Sequence, residues 1–309
     1  MDCGDWLSPR SLLRSLQRDE FDDRKSDFSP EIIHEILSFG AVVGSSIDCH
    51  CCLDRAMDEA RRLISDNDRK NCSTESGRVI LAERMEQARG RFARSWHAPI
   101  GGLWGCLILA DTLLPEASRL LPLALGVAGC EAVAKLGGGP VTVRWVNDLL
   151  LGSSKLGGFL AEQYFSPVHG ESFHLLGFGI NVNNHQFPSG LAEQPTSLAL
   201  ATGRKIDLAP FSLLFLRKLA WNYGLICFEE KQMLAGEPFS GHDGAHALLS
   251  RWRELSDTIG RRVAYGYDIQ KNLQYRATVT GLSADGGLQL LLDDGSTIVE
   301  HSGELRYLD

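Results

Sequence analysis

Residues 103–182 alternate one helix-like run with four strand-like runs, and no other feature constrains the fold of this chain as tightly. Residues 103–110 are apolar and read as a buried strand. Residues 120–136 read as a helix ended by Gly137-Gly138-Gly139, a strong C-terminal stop. Gly126 and Gly129 inside that helix predict close packing on a sheet. Residues 141–146, 155–164 and 173–182 have the β-rich composition of strands.

The flanks read less sharply. Residues 1–30 are charged without clear periodicity, a loose arm or a short helix from Ser8 to Arg18, with no helix-turn-helix pattern. Asp54 is a candidate N-cap for a helix to Ile64, with Ala56, Ala60, Leu63 and Ile64 on one face. Residues 78–82 read as a short strand, 84–102 as a polar basic loop, and 211–228 as a second long helix. Residues 229–245, rich in Gly, Pro and polar side chains, fit a linker. Beyond it, short strands at 261–267, 275–282, 288–292 and 297–301 alternate with tight turns at Asp285-Gly286-Gly287 and Asp293-Asp294-Gly295. That rhythm predicts a small β-barrel of about 55 residues.

Composition excludes several classes. An apolar content of 44% over 309 residues is ample for a core, and a net charge of −8 argues against a broad nucleic-acid footprint. No apolar run is expected to reach the roughly 20 residues of a membrane helix. Asp2 and Asp5, without a continuous apolar stretch, argue against a secretory signal, so the expected compartment is the cytoplasm with reduced thiols. Cys49-His50-Cys51-Cys52 lacks the second, distant pair of a structural zinc site.

Three segments carry candidate chemistry. In Ala88-Arg89-Gly90-Arg91, arginine forks flank a glycine that lets the backbone approach a phosphate, and Trp96 follows as a stacking surface. The alternative is a solvated basic loop. In Asn147-Asp148 and Lys155-Leu156-Gly157-Gly158, a two-residue turn at Gly152-Ser153 predicts a hairpin with Leu150 opposite Lys155 and Asp148 opposite Gly157. Lys155 would then neutralise developing phosphoryl charge, while Asp148 would hold a metal ion or orient an incoming amine. A surface ion pair is the competing reading. Gly177-Phe178-Gly179-Ile180-Asn181 is neither a dinucleotide fingerprint nor a P-loop, and Asn181 offers a donor and an acceptor that suit an adenine edge. A strand ending in a bulge would explain it equally.

Taken together, in this order and with Thr196-Ser197-Leu198 and Arg251-Trp252 beyond, these runs resemble the catalytic core of biotin protein ligases over residues 45–309. The resemblance implies a class II synthetase-like α+β fold, a mixed sheet with packed helices, followed by an SH3-like barrel. It implies an arm at 1–30, a catalytic domain at 31–235 and the barrel at 246–309. The implied activity forms biotinyl-5′-AMP from biotin and ATP with Mg²⁺. Biotin then passes to a lysine of a biotin carboxyl carrier domain. By resemblance, Arg89, Gly90 and Arg91 order over the adenylate and Trp96 packs on it. Lys155 contacts its carboxyl and phosphoryl oxygens, and Asp148 serves the metal or the acceptor lysine. Asn147 belongs to the same binding set, Asn181 serves the adenine, and Gly157 and Gly158 leave room for the biotin ring. No nucleic acid or membrane partner is implied, and an exposed strand face suits a homodimer.

The chain also departs from the family pattern. Arg55, Ala56 and Met57 stand where Ser-Thr-Asn is usual, and Met85 where glutamine is favoured. These losses concern the acid pocket, so a lipoate, octanoate or other acyl ligase, and a non-catalytic ligand-binding relative, are the competing expectations. Ala88 for glycine, and Phe92 and Ala93 for arginine and glycine, alter the loop. Arg144 for lysine and Val146 for proline are milder changes.

Overall fold

The computed structural model describes residues 7–137, 139–191, 193–238 and 246–308. Gly138 of the triple-glycine stop, residues 239–245 of the expected linker, and part of the expected arm lie outside them. The helices are α1 (Pro9–Ser15), α2 (Phe21–Arg24), α3 (Pro30–Gly40), α4 (Ala56–Arg69), α5 (Pro115–Ser118), α6 (Leu121–Ala134), α7 (Leu198–Thr202), α8 (Leu208–Ala235) and α9 (Ala247–Leu255). Strands β1 (Ile47–His50), β2 (Val79–Ala82), β3 (Leu103–Ala110), β4 (Val141–Arg144), β5 (Asp148–Leu151), β6 (Ser154–Phe165) and β7 (Ser172–Ile180) form one sheet in the order β1-β2-β3-β7-β6-β5-β4. Only β1 and β2 run parallel, so the sheet is mixed, as the resemblance implied.

Strand alternation divides the residues of this sheet between two environments. On one face Leu156, Phe159, Phe178 and Ile180 join the main core against α6 and α8. Phe178 lies 5.0 Å from Phe215 of α8, ring to ring. Gly129 is required there: a Cβ would stand 2.7 Å from Phe159. On the other face α4 sets Ala56, Met57, Ala60 and Ile64 against Ile80, Cys106, Ile108 and Leu175. The expected Asp54 cap is displaced by one residue. Arg55 is the N-cap and makes no side-chain capping bond.

Ser8 caps α1 through a capping box with Ser11, and the helical course runs on through residues 16–20 into α2. This segment is anchored, not loose. Leu12 and Leu16 are buried. Arg24 grips Glu131 of α6 at 3.0 and 2.6 Å, and Lys218 of α8 reaches Glu20 at 2.8 Å. The expected 211–228 helix extends to Ala235, which shortens the linker to the residues after Gly236, a left-handed cap. Segment 115–134 is long and apolar enough to cross a membrane, contrary to the expectation, but 78% of it is buried inside the fold. Cys49 is disulfide-bonded, which corrects the expectation of uniformly reduced thiols.

A second, antiparallel sheet contains β8 (Arg262–Gly266), β9 (Tyr275–Leu282), β10 (Leu288–Leu292), β11 (Thr297–Glu300) and β12 (Glu304–Tyr307) in the order β11-β10-β9-β8-β12. The short polar β12 was missed in the sequence because its only buried residue is Leu305.

Candidate active site

On the α4-side face, β6 presents Gly158, Leu160 and Glu162, and β7 presents Gly179, Gly177 and Leu175 in register with them. Three glycines on one face leave the sheet bare. A cavity of about 600 Å³ occupies the space, closed by residues of the 85–97 loop and by the start of α4.

One end of the cavity is charged. Lys155 Nζ lies 2.5 Å from Asp148 Oδ1, and the Arg144 guanidinium binds Asp148 Oδ2. Glu193 pairs with Arg144 and stands 3.4 Å from Lys155. It is held there because residues 194–196 run beside Lys155: Lys155 N donates to Gln194 O and Thr196 N to Lys155 O. The expected hairpin register is corrected by a bulge. Leu150 pairs with Lys155 as predicted, but Leu149 pairs with Gly157 and Asp148 with Gly158. Leu156 is the extra residue, and it turns into the core. Gly157 therefore points away from the cavity: its Cβ position is 2.7 Å from Gly179 O, so it leaves no room for a ligand. Gly158 does line the cavity.

Burial pushes the Asp148 carboxyl upward, but the Lys155 ammonium and Arg144 guanidinium outweigh it and hold it at about 2. Burial pulls the Lys155 ammonium down, and Asp148 and Glu193 more than restore it. Asp148 is thus an anion and Lys155 a cation throughout the physiological range. A carboxylate with each oxygen bound to a cation is a poor Mg²⁺ ligand, which wants unshared oxygens in octahedral geometry. The metal role expected for Asp148 does not fit.

The basic loop folds as a tight hairpin. Trp96 N donates to Ala88 O at 2.9 Å and Gly90 N to Arg94 O at 2.8 Å. Phe92 and Ala93 take left-handed backbone at its tip, with φ of 56° and 58°. The second sheet holds this tip. Arg91 donates to Gly303 O at 2.5 Å, Arg94 pairs with Glu304 at 2.6 Å and with Asp268, and Phe92 meets Tyr267 edge-on. Burial lowers the Arg91 pKa, partly offset by Glu304 and Asp148, so this guanidinium is poorly solvated and suited to an incoming anion. Arg89 is exposed at the cavity rim.

Trp96 lies over the glycine floor, 3.0 Å from the Cβ position of Gly179 and 3.6 Å from that of Gly158. The Lys155 ammonium sits 5.8 Å from its ring centroid. Its Nε1 is buried without a hydrogen-bond partner. Asn147 lines the cavity, but its Nδ2 donates to Phe159 O at 2.8 Å, so this amide also pins the β5–β6 connection. Asn181 is buried at the end of β7, with its side-chain oxygen 3.4 Å from Asn184 Nδ2.

The structure thus brings Arg89, Gly90, Arg91, Trp96, Asn147, Asp148, Lys155, Gly158 and Asn181 to one cavity and turns Gly157 away from it. Sequence reasoning missed Arg144 and Glu193 as cavity residues, whereas the resemblance had already put positions 55–57 and 85 at the acid pocket. Arg144 had a signal, standing four residues before Asp148 across a turn. Glu193 had none, because only the path of a loop carries it there.

Known proteins resemble this chain in sequence and in fold. Residues 55–183 match the biotin/lipoate A/B protein ligase family. The bifunctional ligase/repressor BirA of Bacillus subtilis (strain 168) is 30% identical over 193 residues, covering 62% of this chain and 54% of the relative. The biotin--[acetyl-CoA-carboxylase] ligase of Paracoccus denitrificans is 32% identical over 145 residues, covering 43% of this chain and 57% of the relative. The chain therefore spans about half the length of the curated relatives it matches. A solved biotin protein ligase from Aquifex aeolicus, in complex with biotin and ATP, superposes with a TM-score of 0.64 at 22% identity. The superposition covers 85% of this chain and 99% of that one, which shows the shared fold. In the matched segment, in these relatives and in its fold, the chain is similar to the biotin/lipoate A/B protein ligase family.

Proposed function

We propose that this chain is an ATP-dependent biotin protein ligase, with residues 31–235 as its catalytic domain and residues 246–309 as a small β-unit that steadies the loop. The biotin carboxylate attacks the α-phosphorus of ATP, the bond to diphosphate breaks, and biotinyl-AMP forms. The ε-amine of a carrier lysine then attacks the acyl carbon, AMP leaves, and the nitrogen gives up its proton to water.

The carrying observation is the single cavity that joins a cationic end to an apolar floor. Lys155 and Arg91 would stabilise charge growing on the α-phosphate, worth about 10²–10³ in rate for one such donor. Arg89 would close over the same phosphate, and Trp96 would cover the ligand ring. Asn147 and Asn181 would border the nucleotide. Asp148, held at about 2, is too weak a base to take a proton from an amine. Its role would be to attract and orient the acceptor lysine. Magnesium would arrive with the nucleotide. The relatives' names supply the substrate class, and that of the Paracoccus denitrificans protein supplies the carrier class, a carboxylase domain. The proposed compartment is the cytoplasm, where ATP and such a carrier meet.

Diphosphate release from ATP and Mg²⁺ with biotin, against lipoate and no-acid controls, tests this reading. Biotin-dependent release followed by labelling of a biotin carboxyl carrier domain is the expected result. Release only with lipoate would overturn the substrate, and silence with every acid would overturn the enzyme.

A further inference from the structure

The charged end of the cavity holds two carboxylates of different standing. Asp148 is built in: its side chain is 13% exposed, Lys155 Nζ lies 2.5 Å from Oδ1, and Arg144 Nε donates to Oδ2 at 3.2 Å. Glu193 is 38% exposed and comes from the connection that follows β7. Its Oε1 accepts from the Arg144 guanidinium, and its Oε2 lies 3.4 Å from Lys155 Nζ. Among the described residues this carboxylate meets no other hydrogen-bond donor or cation. The backbone pairing with Lys155 begins at Gln194, so only the Glu193 side chain has to turn for the carboxylate to leave.

With Glu193 in place, two cations face two carboxylates and this end is neutral. A carboxylate with one oxygen on each of two cations occupies them as two oxygens of a phosphate chain would. An incoming polyphosphate meets that negative charge on the same two cations, and like charges at such a distance repel strongly. Once Glu193 turns out, Asp148 still holds both cations and the end carries one net positive charge. Three other arginines of the lining are engaged elsewhere: Arg94 with Glu304 and Asp268, Arg91 with Gly303 O, and Arg55 with Glu162. Arg144 and Lys155 are the adjacent pair whose outer partner is partly exposed and replaceable.

Building on the proposed ligase reading, we propose that Glu193 is a built-in competitor for the nucleotide: its carboxylate occupies the Arg144–Lys155 pair in the empty site, and the β- and γ-phosphates of ATP displace it. Arg144 then holds the diphosphate leaving group until Glu193 returns and helps to expel it. The chain gives up affinity for ATP and gains faster clearance of the product. Glu193 makes and breaks no covalent bond in this cycle.

Calorimetric titration of the full chain with inorganic diphosphate, ATP and AMP, at fixed Mg²⁺ and without any acid, tests this. Glu193→Gln removes the charge and keeps the size. It should bind diphosphate and ATP about 5- to 10-fold more tightly than the parent, the scale of one partly exposed ion pair. AMP lacks the β- and γ-phosphates, and its affinity should change less than twofold. Glu193→Ala should repeat the pattern. Diphosphate affinity unchanged or weakened in Glu193→Gln, an equal gain for AMP, or no diphosphate binding by parent and variants would overturn the proposal. Biotin-dependent diphosphate release with an unmoved diphosphate affinity would sink this proposal alone. Tighter diphosphate binding by the variants, in a chain that releases none from ATP with any acid, would overturn the ligase reading and leave the competitor standing.

Discussion

Gly157 and Gly158 are adjacent, yet their alanine variants should fail in opposite ways. A Cβ on Gly158 meets Trp96, Asn147 and Lys155 at 3.6–3.7 Å, ordinary contact distances, and lies on the cavity floor. A Cβ on Gly157 would stand 2.7 Å from Gly179 O and 3.4 Å from Ile180, inside the β6–β7 ladder. That oxygen is backbone, so relief requires the two strands to part. Overpacking of this kind costs about 2–3 kcal/mol. With an unfolding entropy of about 2 cal/mol/K per residue, this corresponds to a Tm lowered by roughly 4 °C. Gly158→Ala should leave Tm within about 1 °C, since added contacts are unstrained and a glycine is removed from the unfolded chain. It should weaken biotin binding about 10- to 100-fold, because a methyl group occupies ligand space. Calorimetric melting and binding titration on both variants give four numbers. Unchanged affinity in Gly158→Ala would refute the glycine floor as the ligand surface. A fully stable Gly157→Ala would refute the bulged register that separates the two residues.

Lys155→Ala should lower diphosphate release about 10²–10³-fold while the fold persists, because Asp148 keeps Arg144. Retained activity would remove Lys155 from the mechanism. Asp148 is held at about 2 when folded, against 3.8 as its ordinary value, so its stabilisation is complete above about pH 5 and is lost as pH falls through 2. In urea titrations Asp148→Asn should therefore be about 2 kcal/mol less stable than the parent at pH 7, with the gap narrowing between pH 5 and 3. A gap that widens on acidification would contradict the ion-pair assignment. Ala93→Gly relieves a left-handed alanine at φ 58° and should add about 0.5–1 kcal/mol in the same assay. A loss of stability would show that the loop tip is not strained.

The elements that could be read from the sequence are those whose own residues determine them. Residues 103–110 are apolar without interruption, and they are β3. Gly126 and Gly129 announced a helix pressed onto a sheet, and Val143 and Phe159 are the side chains they admit. The hairpin at Gly152-Ser153 brought Asp148 and Lys155 together as predicted, because a two-residue turn leaves little freedom in pairing. Boundaries were looser: Asp54 looked like the cap of α4, but Arg55 holds that place. The first 30 residues read as a loose arm or a short helix from Ser8 to Arg18, and the sequence could not show that they are anchored because their charges had no visible partners. Those partners, Glu131 and Lys218, lie over a hundred positions away.

The order of residues along the chain is enough to say which chemistry is available: arginines around a glycine, a carboxylate near a lysine, and glycines at strand positions. Local spacing also determined most of the strands and helices that carry them, since periodicity and turn chemistry act over a few residues. Which of those groups share a site depends on how the folded chain packs. A one-residue bulge turned Gly157 into the core and left Gly158 on the floor. A loop paired beside Lys155 delivered Glu193, and packing of α4 across the sheet set Arg55 at the far wall. Each outcome depends on contacts between segments distant in the chain, whose geometry is fixed only once the core has closed around them.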